Sequence, residues 1–75
     1  MPVYCFAIHA KDGSPVETLG ALPLESDAAS VTFAEGVIRD MMRAGGTAYY
    51  EGLIVNITEG ERGVGSIPFA PTPPP

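Results

Sequence analysis

The chain contains one thiol and one imidazole, Cys5 and His9, and this pair is the first candidate for chemistry. A cysteine beside a histidine is the arrangement that activates a thiolate nucleophile. The alternation of residues 3–10 predicts a β-strand that carries both side chains on one face, four positions apart. Their Cα atoms would lie about 13 Å apart at ~3.3 Å per residue. We therefore expect no Cys–His dyad within one chain and no catalytic residue, although a dimer that brings Cys5 near His9 of the partner subunit stays open.

A different function for the same strand face is the binding of a metal or a small molecule. Cys5 and His9 would share this face with Asn56 from a later strand. The carboxylates are scattered over predicted loops and turns, and none follows the spacing of an EF-hand. We expect no metal site and no cofactor, and we keep a metal-binding or small-molecule-binding protein as a third alternative.

Length and charge exclude several classes of protein. The 75 residues are enough for one domain with a thin core, and 45% of them are hydrophobic. The net charge of -5 opposes binding to phosphate backbones and to anionic lipid, so we expect neither nucleic acid nor membrane as a partner. No signal-peptide pattern precedes the first strand, and the single cysteine forms no disulfide within the chain. We expect a cytoplasmic protein.

The hydrophobic pattern changes period along the chain and predicts a small α+β domain over residues 1–69. The predicted elements, in the order ββαββ, are a strand at 3–10, a short edge strand at 16–24, a helix at 26–44, and strands at 53–58 and 64–69. The loop at 59–63 indicates a hairpin between the last two strands. An antiparallel sheet with the helix on one face buries the most apolar surface. Residues 70–75 are predicted to be a disordered, proline-rich tail.

The predicted helix has more apolar surface than one sheet face needs. A helix lying on a sheet uses an apolar arc a little over ~100° wide, and this arc is nearly twice as wide because Phe33 and Val37 extend it sideways. We expect a second copy to cover the excess, on the helix flank or on the other sheet face. The candidate interface residues are Phe33, Val37, Ala29, Gly36, Val3, Ala7 and Ile54. The alternative is that Phe33 folds over Leu19, Leu22 or Leu24 of its own chain.

Several short motifs also resemble a known family. They are Met1-Pro2-x-Tyr4-x-Phe6, the pair Ala28-Ala29, Gly52-x-x-Val55-x-Ile57-x-Glu59-x-x-x-Gly63, and Ile67-Pro68-Phe69. Together they resemble a family of short bacterial proteins, a domain of unknown function common in rhizobia and their relatives, over residues 1–70. The chain differs from the family in having Glu17 where an aspartate is expected and in having a less charged helix. The resemblance implies a bacterial source and gives no information about activity.

Three functions follow from these patterns. The first is a small non-catalytic protein-interaction module that self-associates as a homodimer and binds a further protein of unknown identity. The second is an antitoxin-like or transcription-associated regulatory factor, because a small sheet with one helix resembles HicB-like domains, although the net charge opposes it. The third is the metal-binding or small-molecule-binding protein described above.

Overall fold

The computed structural model describes residues 1–46 and 52–69 of the chain. The strands are β1 (Val3–Ala10), β2 (Pro15–Pro23), β3 (Leu53–Glu59) and β4 (Arg62–Pro68), and the helix is α1 (Asp27–Met41). The strands form one antiparallel sheet in the order β2-β1-β3-β4, and α1 packs on one of its faces. The predicted α+β fold with the order ββαββ is confirmed.

The core lies between α1 and alternate residues of the two central strands. Tyr4, Phe6 and Ile8 of β1 are each at most 2% exposed, and Val55 and Ile57 of β3 are fully buried. These five residues face the helix because side chains alternate between the two faces of a strand. The core residues contributed from outside β1 and β3 are Ala34, Ile38 and Phe69. The strand alternation seen in the sequence therefore identifies the core.

The helix begins where the sequence predicts and ends differently. Ser26 is the N-cap, and its hydroxyl accepts a hydrogen bond of 3.1 Å from the backbone amide of Ala29. The α-helical geometry ends at Met41, and a π-helical turn continues over Met42–Gly46. The predicted α-helix to residue 44 is thus too long. The turn ends in two glycines, whose low helix propensity disfavours continuation of the α-helix.

A buried hydroxyl on the helix was not expected from the sequence. Ser30 is fully buried, although serine is a residue typical of surfaces. Its hydroxyl donates a hydrogen bond of 2.6 Å to the backbone carbonyl of Asp27, so the buried hydroxyl is not left unpaired in the core. The apolar periodicity does not predict that Ser30 is buried, because the hydrogen bond that makes its burial possible is formed within the helix.

Strand β2 is an edge strand as predicted, and its nine residues lie one position earlier than the predicted range of 16–24. The predicted start of the last strand is wrong. Strand β4 begins at Arg62, inside the loop predicted at 59–63, and Glu59 pairs with Arg62. The hairpin turn is reduced to Gly60 and Glu61. Gly60 has a φ of 61°, which glycine adopts at little cost, and this conformation permits a two-residue turn.

The tail predicted at residues 70–75 lies outside the described residues. Within the described part of the chain, no helix has the length and apolarity required to cross a bilayer.

The position of Phe69 generates a test of the domain boundary. Its side chain is 2% exposed, and its backbone amide donates a hydrogen bond of 2.9 Å to the carbonyl of Leu53. We expect a chain ending at Phe69 to unfold within about 0.5 kcal/mol of the full chain. A chain ending at Pro68 should lose about 3 kcal/mol or more, because it lacks a buried phenyl ring. Urea denaturation of the three chains measures both differences, and equal stability of the two truncated chains would contradict the boundary.

Candidate functional site

The sequence-predicted chemical residues lie on the sheet face that does not carry the helix. Cys5 and His9 are on β1 with Ala7 between them, and Asn56 is the partner of Ala7 across the β1–β3 pair. Cys5 is exposed, and Asn56 accepts a hydrogen bond of 3.0 Å from the hydroxyl of Ser66. Among residues 1–46 and 52–69, no group of three or more His, Cys, Asp or Glu side chains is placed to hold a metal ion. This face therefore presents single polar groups rather than an assembled site.

The seven predicted interface residues divide between opposite sides of the molecule. Ala29, Phe33, Gly36 and Val37 lie on α1, and Phe33 is the most exposed large side chain of these four, at 40%. The other three, Val3, Ala7 and Ile54, lie on the open sheet face, where Val3 is 51% exposed and the other two are half-buried. The structure therefore contains two separate candidate surfaces, and no single surface contains all seven residues.

An apolar cleft opens beside Phe33, between α1 and the β2 side of the sheet. Its volume is about 210 Å³, and its lining residues are Phe6, Leu19, Gly20, Leu22, Phe33, Ala34, Val37 and Val55. Each of these lining residues is apolar. The rings of Phe6 and Phe33 meet in a tilted arrangement, with centroids 5.1 Å apart and an interplanar angle of 54°. The exposed ring of Phe33 is thus one wall of the cleft.

Phe33 combines the two arrangements that the sequence left open. It lies in the same cleft as Leu19 and Leu22 of its own chain, as the intrachain alternative predicts. It nevertheless keeps 40% of its surface exposed, as an interface residue would. Leu24 packs against the core and does not line the cleft.

The cleft exists because of irregularities in β2. The partner of Phe6 is Gly20 and the partner of Ala7 is Thr18, so Leu19 is an extra residue in a β-bulge. Gly20 has no side chain to fill the space beside Phe6, and an added Cβ would meet no heavy atom within 4 Å. A second irregularity skips Val16. The bulges, with a proline at each end of β2, also hinder the addition of another strand at this edge.

A polar cluster ties the start of the helix to three strands. Asp27 of α1 receives hydrogen bonds of 2.9 and 2.8 Å from Nη1 and Nη2 of Arg62, and a third of 2.8 Å from the Tyr4 hydroxyl. Arg62 also donates from Nε to Glu59 at 3.0 Å. The periodicity of the sequence did not indicate this cluster, because its members come from four elements and Arg62 was assigned to a loop.

The cluster shifts the proton affinities of its members. Hydrogen bonds from Arg62 and then from Tyr4 lower the pKa of Asp27 to about 2. Burial and the neighbouring Asp27 carboxylate raise the pKa of Tyr4 above its ordinary value, so its hydroxyl stays a donor. Hydrogen bonds to Asp27 and Glu59 raise the pKa of Arg62. Asp27 and Arg62 are thus held in their charged forms, an arrangement that stabilises the fold and offers no proton near neutral pH.

The cluster predicts how stability depends on acid. A carboxyl group whose pKa is lower in the folded state stabilises the fold above its unfolded value of about 3.8, and this contribution is lost as the pH falls toward 2. We expect the melting temperature of Asp27→Asn to fall less between pH 5 and pH 2 than that of the wild type. Some pH dependence will remain, because a hydrogen bond from Ser14 also lowers the pKa of Asp12. Thermal melts followed by circular dichroism measure this, with Glu61→Gln as the control of equal charge change. Identical pH profiles for wild type and Asp27→Asn would contradict the prediction.

The bulge predicts that one glycine is far less replaceable than another. Gly20 has a φ of 131°, a conformation that strains any residue with a Cβ. Gly20→Ala should therefore destabilise the fold by about 1–3 kcal/mol even though there is space for the methyl group. Gly65→Ala is the matched control, because it too has open space and its φ is not positive. It should leave stability unchanged or raise it by about 0.4–1 kcal/mol. Urea denaturation compares the two variants, and equal losses would show that backbone strain at Gly20 is not the cause.

Comparison of the chain with known proteins finds no significant match among models of protein families, curated protein sequences or solved structures.

Proposed function

We propose that the chain is a small non-catalytic interaction module that self-associates as a homodimer through the Phe33 surface, which consists of Ala29, Phe33, Gly36, Val37 and the adjoining cleft. The observation that carries this proposal is the 40% exposed ring of Phe33 at the rim of an apolar cleft of about 210 Å³. Exposed apolar patches next to a concavity are typical of protein-binding surfaces. Fully burying a phenylalanine side chain is worth about 1.5–3 kcal/mol. A two-fold dimer gains from both copies of this ring, since the same patch is used on each.

The Phe33 surface is a better candidate than the open sheet face. The sheet face intersperses apolar Val3, Ala7 and Ile54 with Thr58 and with Asn56, which is already hydrogen-bonded to Ser66. Covering that face would remove these polar groups from water, which costs free energy unless the partner supplies matching hydrogen bonds. The cleft beside Phe33 is lined by apolar residues, so covering their side chains carries no such cost.

The charges support a protein partner over a nucleic acid. The chain has four basic residues, and one of them, Arg62, already binds the carboxylates of Asp27 and Glu59. The remaining three basic residues are outnumbered by the acidic residues of the chain, whose net negative charge repels a phosphate backbone. This favours the interaction module over the transcription-associated alternative. The exposed thiol of Cys5 supports a reducing compartment, so we place the protein in the cytoplasm. Membership of the rhizobial family of unknown function remains part of this proposal.

Association can be tested with two variants of similar exposure on opposite faces. Sedimentation velocity at micromolar concentration should find a dimer for the wild type. Phe33→Glu should shift the chain to monomer, because it places a charge in an apolar interface. Val3→Glu changes a residue that is 51% exposed on the open sheet face and should leave the dimer intact.

The opposite result would relocate the interface. A dimer that is lost in Val3→Glu and kept in Phe33→Glu would place the contact on the sheet face. A wild-type monomer whose melting temperature is unchanged by dilution would refute self-association.

A further inference from the structure

One end of the molecule is acidic. Asp27 at the start of α1 and Glu59 at the end of β3 both bind Arg62. Glu61 lies in the adjoining turn, and Glu25 precedes the helix by two residues. Four carboxylates and one arginine give this end a net charge of -3. The exposed Glu25 makes no ion pair among the described residues.

The opposite end carries most of the basic residues. Helix α1 spans 15 residues, or about 22 Å, so Arg39 near its end and Arg43 in the π-helical turn that follows lie away from the acidic end. Lys11 and Asp12 lie in the turn between β1 and β2, at the end where β3 begins. With Asp40, and with Glu17, which pairs with Ile8 toward the same end of the β1–β2 hairpin, these residues give a net charge of zero. The charges therefore vary along the helix axis, from a net negative charge at its start to no net charge at its end, where Arg39 and Arg43 lie.

The cleft is large enough for an aromatic ring. An apolar cavity of about 150 Å³ accommodates benzene, and the cleft beside Phe33 measures about 210 Å³. Gly36 follows Phe33 by three residues on α1 without lining the cleft, and a Cβ added to it would meet nothing within 4 Å. The flank of the helix beside the cleft is thus open to close approach by another chain.

We propose that the cleft receives the Phe33 ring of a second copy whose helix runs antiparallel to α1, so that the acidic end of each copy faces the basic end of the other. This inference rests on the proposed homodimer and specifies its geometry. With a two-fold axis near the middle of α1, residues whose numbers add to about 70 face each other. Phe33 then lies over Gly36 and Val37 of the partner subunit. Arg43 lies near Glu25 of the partner subunit, and the contact occurs twice.

The charges select this orientation over the parallel one. A parallel pair of helices would place two ends of charge -3 side by side, whereas the antiparallel pair places each beside an end with no net charge that contains Arg39 and Arg43. The helix dipoles also attract each other when antiparallel. Strand addition at the β2 edge, the other way to use this side of the molecule, is hindered by the two bulges. The partner's ring is therefore the occupant that both the shape and the charges favour.

Charge reversal at Glu25 and Arg43 tests the orientation in the full chain. Glu25→Lys alone places two positive charges together at each contact with Arg43 of the partner subunit, and Arg43→Glu alone places two negative charges together. Each variant should dimerise about tenfold more weakly at low salt, because two attractive contacts become repulsive. An equimolar mixture of the two variants should form a heterodimer that is stronger than either homodimer, because both of its contacts join opposite charges. One contact is the Arg43–Glu25 pair of the wild-type dimer, and the other joins the lysine introduced at Glu25 to the glutamate introduced at Arg43. Glu61→Lys is the control, because Glu61 lies at the same acidic end but in the β3–β4 turn and not beside the helix. A mixture of Glu61→Lys with Arg43→Glu should not form a heterodimer stronger than both homodimers.

A second pair of variants tests the helix surface beside the cleft. Gly36→Leu fills the space over which the partner's ring would lie, and leucine is a good helix former, so the chain should fold and become monomeric. Glu35→Leu, one residue earlier on the other flank by helical projection, should remain dimeric. Circular dichroism checks folding, and sedimentation velocity measures association.

The outcomes separate the two proposals. A wild-type dimer with no rescue in the mixture, or one unaffected by Gly36→Leu, would overturn the antiparallel arrangement and leave the homodimer standing. A wild-type monomer would overturn both. A monomer whose cleft instead binds an apolar segment of another protein would show that the occupant is foreign and would overturn the antiparallel dimer as well.

Discussion

The width of a single helix limits how much of this sheet can be covered. Four strands spaced about 4.8 Å apart form a surface close to ~19 Å wide, while a helix with its side chains is about 10–12 Å across. Helix α1 lies closest to β3 and β4, so the β2 side of the same face is left partly uncovered. The cleft results from this partial coverage together with the bulge at Gly20, and its lining is apolar.

The polar cluster at the start of the helix helps to determine which side is left uncovered. Asp27 is bound in a bidentate manner by Arg62 on the edge strand β4 and by Tyr4 on β1. These bonds attach the first turn of α1 to β4 and β1, whereas the cleft lies toward β2. The cluster carries no chemistry of its own, yet it contributes to the position of the surface on which the proposed function depends. A structural ion pair and a candidate interface on opposite flanks of the helix are therefore physically linked.

The sequence predicts the parts of the fold that depend on periodicity. Alternation identified Tyr4, Phe6 and Ile8 as core residues, and the helical period identified Ala34 and Ile38. It also singled out Phe33, whose position at the margin of the apolar arc corresponds to the rim of the cleft. The cleft itself could not be predicted, because the bulges of β2 depend on its pairing with β1 and leave no periodic trace. The Asp27–Arg62 pair was missed for a similar reason, since 35 positions separate the two residues and only the fold brings them together.

The strand order has a consequence for how the chain folds. Strands β1 and β2 form one hairpin and β3 and β4 another, and each pairs residues that are close in sequence. The centre of the sheet is different, because Ala10 pairs with Leu53 and Cys5 with Thr58 across the whole helical segment. Hairpins form in about 1–10 μs, whereas contacts between distant residues require closure of a long loop and slow the reaction. From the order of the strands we therefore predict that the pairing of β1 with β3 forms more slowly than either hairpin.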